Sequence, residues 1–312
     1  MSAFVEGRDV RQRDVTGRLY EGIGPAPHPG VLVFHGAGGG RGYEQEYARY
    51  LAAHGYTAFC VEYFGTPGTP DALARIPLSR FEGAIDWLTD RPDVSSGHVG
   101  AIGLSRGGEA ALLVGARCER VGVVVGYVTS GLAFPAPTWM DGVEEEVAAW
   151  TVDGGPVPYI PVEESVETNE EGLEETIAQT DSADGSDAVG AATRSQRAQA
   201  AIEVERIDGP VLLISGGADE VWPSPALSSV AIERLDANNH PWPSEHRSFP
   251  DAGHAIRVPY RFDETSDPTA RHRFGGTAET NAHASAAAWR ATLDYLRRGL
   301  TAREEERDTQ SR

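Results

Sequence analysis

The stretch "GLSRGG", residues 103–108, decides the reading of this chain. It follows "HVGAI" (98–102), an apolar run that predicts a buried strand. It precedes "EAALLVGARC" (109–118), which predicts a helix. Gly103-Leu104-Ser105-Arg106-Gly107 fits G-x-S-x-G, the nucleophile elbow. The pattern has a steric cause. The central residue occupies a strained turn, and small flanking residues let strand and helix approach. Ser105 Oγ is then held clear of the backbone at a helix N-terminus, where the dipole and free N–H groups favour developing negative charge.

Outward from the elbow, short apolar strands alternate with amphipathic helices. "PGVLVFHG" (29–36), "TAFCVEY" (57–63), "VGVVVGY" (121–127) and "PVLLISGG" (210–217) are further buried strands, and "HRSFPDAGH" (246–254) ends another. "YEQEYARYLAAHG" predicts a helix stopped by Gly55. "IPLSRFEGAIDWLTDRP" sets Leu78, Phe81, Ile85 and Leu88 on one helical face, and the last helix, residues 282–300, does so with Trp289, Leu293 and Leu296. Residues 10–22 alternate loosely as edge strands. The alternation implies an α/β fold, a mostly parallel sheet covered on both sides, with functional loops at the strands' carboxyl ends. The expected organisation is edge strands over 1–28, a catalytic domain over 29–300 and a charged tail over 301–312. Residues 133–200 break the rhythm with Pro, Gly, Glu and Asp, and are expected to be an acidic insert: a lid or a surface loop.

Composition narrows the function. The chain has 27 basic residues, every one arginine, against 47 acidic ones, a formal net charge of −20 and a pI of about 4.8. Such a chain has little surface for neutralising successive phosphates, so no nucleic acid is expected as a partner. In dilute buffer the charge repels itself; in molar salt the Debye length falls to about 3 Å and the repulsion largely vanishes. A cytoplasm rich in salt is the expected setting, with an arginine-favouring genome as the bland alternative. The two cysteines, Cys60 and Cys118, sit in apolar contexts and read as reduced thiols. No signal peptide, membrane span or zinc-ligand spacing is visible, and neither metal nor cofactor is expected.

An alkyl hydroxyl needs a base, and the base needs an orienting carboxylate. With the nucleophile on a strand-to-helix elbow, the chain order is serine, acid, histidine. Asp219 in "SGGADEVWPS" (215–224) and His254 in "FPDAGHAIRVPY" (249–260) meet that order at two strand ends. Glu220 is a neighbouring rival to Asp219. Asp251 precedes His254 in its own loop and reads as a turn residue. "HGAGGG" (35–40) is expected to supply one oxyanion N–H, from Ala37, beside that of Arg106. It lacks the Lys and Ser/Thr of a phosphate-binding loop and is not G-x-G-x-x-G. His35 reads as structural.

Several blocks together are similar to the C-terminal catalytic domain of the acyl-CoA thioesterase and bile acid-CoA:amino acid N-acyltransferase family. They are "HPGVLVFHGAGGG", "IPLSRFEGAIDWL", "VGAIGLSRGGEAALL", "IEVERIDGPVLLISGGADEVWPS", "FPDAGHAIRVPY", and "FGGT" followed by "NAHASAAAWRATLDYL". They run from about residue 29 to 299, with 135–195 matching poorly. The resemblance implies an α/β-hydrolase fold with a triad on Ser105, Asp219 and His254. A serine at the elbow implies a thioesterase, where cysteine would imply an amino acid acyltransferase. Full-length relatives also carry an N-terminal β-sandwich domain, which the matching blocks do not include. "HGAGGG" resembles the dienelactone hydrolase group as well. The expected substrate is therefore a small acyl thioester, an acyl-CoA, with small oxygen esters as the carboxylesterase or dienelactone-type alternative. Arg257, Arg261, Arg271 and Arg273 follow His254 and offer either a phosphate site or partners for the surplus carboxylates.

Overall fold

Apolar runs that alternate with helices bury both their faces only inside a covered parallel sheet, and that is where they lie. The computed structural model describes residues 5–12, 15–40, 42–161, 194–259 and 274–301. The strands of the main sheet are β1 (Arg8–Gln12), β2 (Val15–Tyr20), β3 (His28–Phe34), β4 (Thr57–Val61), β6 (Val94–Leu104), β7 (Val121–Tyr127), β10 (Val211–Gly216) and β11 (Ser244–Phe249). Their order across the sheet is β1-β2-β4-β3-β6-β7-β10-β11. Only β1–β2 and β2–β4 are antiparallel; from β4 to β11 every pairing is parallel. This is the α/β-hydrolase fold, and the elbow leaves the carboxyl end of the central strand β6.

The helices sort by the sheet face on which their apolar residues land. α2 (Ser79–Thr89) buries Phe81, Ala84, Ile85 and Leu88, and α3 (Arg106–Gly115) packs beside it in the same core layer. α5 (Ser224–Ala237) joins them through Ala231 and Leu235. The other face is covered by α1 (Tyr43–Ala53) and α6 (Ala278–Leu296), which contribute Tyr47, Leu51, Ala288, Trp289 and Leu296. Leu293, expected on the same buried face, is only partly covered.

Part of the segment expected as an insert is built into the body. β8 (Trp150–Val152) pairs with the two-residue β5 (Ile76–Pro77) and with β9 (Gly155–Pro156) in a small second sheet. Trp150 is fully buried there. Helix α4 (Arg194–Ala200) follows. The expectations for residues 162–193, for most of the tail 301–312 and for Arg261, Arg271 and Arg273 fall outside the described residues. Among the described residues no helix is long and apolar enough to cross a membrane.

Candidate active site

The elbow has the strain its sequence foretells. Ser105 takes φ 54° and ψ −120°, a region costly for any residue with a Cβ. Its N–H donates to the Tyr127 carbonyl at 2.8 Å, and its own carbonyl accepts from Thr129 Oγ1 at 3.0 Å, so the surroundings hold the strain in place. The flanking glycines are steric necessities. A Cβ on Gly103 would lie 1.9 Å from the Gly107 carbonyl oxygen, and one on Gly107 would lie 2.4 Å from that of His35. Ser105 thus begins α3, whose first N–H groups, that of Arg106 included, have no partner within the helix.

Ser105 and His254 line one cavity of about 300 Å³, together with Ala37 and the neighbouring glycines 36, 38 and 39. The expected oxyanion loop therefore runs along the wall that holds the serine. The cavity floor is apolar, from Val33, Ile102 and Ile256, and reaches Tyr47 and Tyr127. Those two phenols hydrogen-bond at 2.8 Å, and Tyr127 continues to Thr292 Oγ1 at 2.7 Å. Burial pushes the Tyr127 phenol up to about 12, so it stays neutral.

Asp219 and His254, 35 residues apart in the chain, are in direct contact. Asp219 Oδ2 is 2.9 Å from His254 Nδ1, with the two side chains 1% and 7% exposed. Asp219 Oδ1 accepts the backbone N–H groups of Val221 at 2.9 Å and Trp222 at 3.3 Å. A carboxylate fixed this way sets the imidazole tautomer: Nδ1 carries the proton toward Asp219, and Nε2 keeps its lone pair. The rivals Glu220 and Asp251 are both exposed.

Arg106, expected to offer an oxyanion N–H, is not among the residues that line the cavity. Its side chain is buried, with Nε 3.1 Å from Glu109 Oε2 and Nη2 donating to the Phe134 carbonyl at 2.8 Å. Glu109, fully buried, also accepts from Trp150 Nε1 at 2.5 Å and from the Phe134 N–H at 3.2 Å. His35 stacks on Tyr63 at 4.0 Å between ring centroids, and burial pushes its imidazole down to about 4, so it is neutral. Glu44 and Trp139 are among the lining residues that no sequence motif marks. Glu44 lies in the first turn of α1; burial raises its pKa, and its Oε1 accepts the Gly42 N–H at 3.1 Å. Trp139, from the insert, reaches the cavity from a segment with no periodicity to mark it.

The family described as BAAT / acyl-CoA thioester hydrolase C terminal matches residues 76–302, more than half of the chain. The chain belongs to that family. Ser105, Asp219 and His254 fall inside the family match, while the glycine loop 35–40 lies before it, so the match begins later than the first resembling block. Over 306 residues the chain is 25% identical to acyl-coenzyme A thioesterase 1 of Rattus norvegicus, covering 96% of this chain and 67% of the rat protein. It is 24% identical over 310 residues to a peroxisomal succinyl-coenzyme A thioesterase of Mus musculus, with the same coverage. Among solved structures, a dienelactone hydrolase-like promiscuous phosphotriesterase from metagenomic libraries superposes with a TM-score of 0.59 at 17% identity. It covers 96% of this chain and 100% of its own, and it supports the fold alone.

Proposed function

We propose that the chain is a serine hydrolase of acyl thioesters, an acyl-CoA thioesterase working through Ser105, His254 and Asp219. The observation that carries the reading is the buried 2.9 Å contact between Asp219 and His254, in a site whose cavity wall includes the strained Ser105. The named thioesterase activity of the family members supports the choice of substrate.

The chemistry follows from the groups. His254 Nε2 takes the Ser105 proton as Oγ attacks the thioester carbonyl, and Asp219 stabilises the imidazolium. The N–H groups of Ala37 and Arg106 receive the oxyanion. The tetrahedral intermediate collapses to an acyl-serine and releases a thiolate, which needs little help because thiols are far more acidic than alcohols. His254 gives its proton to the departing thiolate and so becomes a base again; it then deprotonates a water that attacks the acyl-serine, and returns that proton to Ser105 Oγ as the acid leaves with the water's oxygen. The charge of −20 and the exclusive use of arginine support a working environment of high salt, where the repulsion between an anionic substrate and an anionic protein is screened.

The test compares kcat/KM for acyl-CoAs of several chain lengths with p-nitrophenyl esters of the same acids, in about 2–3 M KCl where screening is strong. The expected result is a clear preference for the thioesters, lost in Ser105→Ala with the fold intact. Turnover of the oxygen esters alone would make the protein a carboxylesterase, and full activity in Ser105→Ala would remove the nucleophile.

A further inference from the structure

We propose that Arg257 is the anion-recognition residue of this cavity, taking a phosphate or carboxylate oxygen of the substrate; the assignment rests on the thioesterase reading above. Among the described residues lining the cavity, Arg257 carries the single lysine or arginine cation. Its guanidinium carbon lies 4.3 Å from the ring centroid of Tyr43 and 4.7 Å from that of Phe274, both of which also line the cavity. Cation–π contact engages the face of a guanidinium, so its hydrogen bonding falls to the in-plane N–H edge, the fork that matches two oxygens of a phosphate or carboxylate. The backbone is tied as well: the Arg257 N–H donates to Ser285 Oγ on α6 at 3.0 Å, three residues beyond the base His254.

Position in the cavity says which part of a substrate would meet this cation. Tyr43, Arg257 and Phe274 are each half-buried, whereas Tyr47, Ile102, Tyr127 and Ile256 are buried. Arg257 therefore stands at the rim and the apolar groups form the floor. An acyl chain fills the floor, and the leaving group extends past the rim. In a chain with 20 surplus negative charges, a cation lining the cavity provides a local attraction for an anionic substrate.

The experiment uses the full chain, Arg257→Met and Arg257→Lys, on four thioesters: butyryl and glutaryl groups, each carried by coenzyme A or by N-acetylcysteamine, which has no phosphate. If the phosphates of CoA are the ligand, KM of Arg257→Met for both CoA thioesters rises about tenfold relative to the N-acetylcysteamine pair, the scale of one charge-assisted hydrogen bond. If an acyl-chain carboxylate is the ligand, the loss follows the glutaryl group on both carriers. Arg257→Lys, which keeps the charge but not the planar fork, falls between and serves alone should Arg257→Met not fold. A uniform change across all four substrates, or none, overturns the assignment. Should the wild type cleave p-nitrophenyl esters and no thioester, the thioesterase reading has failed by itself. Arg257 is then judged by p-nitrophenyl butyrate against mono-p-nitrophenyl glutarate, and equal losses on the two overturn it.

Discussion

Replacing Asp219 by asparagine isolates the part of the proposed mechanism that depends on charge and tautomer. The substitution is isosteric, and the Asn oxygen can keep the N–H groups of Val221 and Trp222 that Oδ1 accepts now. What changes is the atom facing His254 Nδ1 at 2.9 Å, which becomes an NH₂ donor. The imidazole then has to accept at Nδ1, and its proton moves to Nε2, the atom that should receive the Ser105 proton. Two losses follow. The imidazolium loses a unit counter-charge worth about 4 kcal/mol at 4 Å and an effective dielectric near 20. The active tautomer also becomes the minor one. At 1.36 kcal/mol per tenfold, the first loss alone is about 10³ in rate, and with the second kcat should fall by about 10³–10⁴. Steady-state kinetics on the best substrate reads the loss, and a thermal melt should show little change because the buried hydrogen bonds survive. Glu220→Gln, an exposed neighbour, is the control and should leave kcat within about twofold, as surface changes usually do. Retention of a tenth or more of wild-type kcat in Asp219→Asn would refute the role, and a collapse in Glu220→Gln would transfer it.

Two further predictions concern buried charge. Glu109→Ala leaves the Arg106 guanidinium buried without its counter-charge and should cost about 3–5 kcal/mol in denaturant titration, while the double change Arg106→Met, Glu109→Leu should recover much of it; a double variant no more stable than the single would deny that the ion pair is the cause. His35 titrates at about 4 in the fold against an ordinary 6.5, so the unfolded chain binds its proton first. That contribution is complete above about pH 6.5 and is lost as pH falls toward 4, a span worth about 3 kcal/mol. His35→Gln should flatten the pH dependence of stability in that window, and an unchanged slope would show that other groups set it.

Much of the fold was legible because the dominant signals are local. The runs at 31–34, 57–61 and 121–127 are apolar on both faces, which suits only a covered parallel strand. The elbow combined a turn constraint with a chemical group in five residues, and the steric clashes at Gly103 and Gly107 show why no other residue type would serve there. Helix α5 was less visible. Its buried face is Ser224, Leu227, Ser228, Ala231 and Leu235, spaced correctly for a helix but half polar or small, so hydropathy gives it little contrast. The second sheet was unreadable for a different reason. β5 and β9 are two residues each, too short for a period of two to show, and β5 finds its partner, the strand that begins at the buried Trp150, far along the chain.

The support of the Asp219 loop is the clearest case of a candidate site held by contacts that have no sequence pattern. Val128, just past β7, takes φ 42°, unusual for a β-branched residue. Its N–H donates to the Ile214 carbonyl at 2.6 Å, and its carbonyl accepts Trp222 Nε1 at 2.8 Å. Trp222 in turn donates its backbone N–H to Asp219, and its ring packs edge-on to His254 at 6.2 Å and against Phe134 at 5.6 Å. Phe134 is the residue whose backbone N–H and carbonyl are both held by the buried Arg106–Glu109 pair on the elbow helix. One tryptophan therefore joins the strained end of β7, the carboxylate, the imidazole and the first part of the insert, and the path closes on the helix that begins at Ser105. Strain at Val128 persists only where its surroundings over-determine it, and here those surroundings are the groups that the proposed mechanism needs aligned for proton transfer. Trp222→Phe keeps the ring but removes the indole donor, leaving the buried Val128 carbonyl unsatisfied at a cost of about 1–3 kcal/mol. If the alignment argument is right, kcat falls along with stability; a loss of stability with kcat intact would mean that the acid loop holds His254 without help from this network.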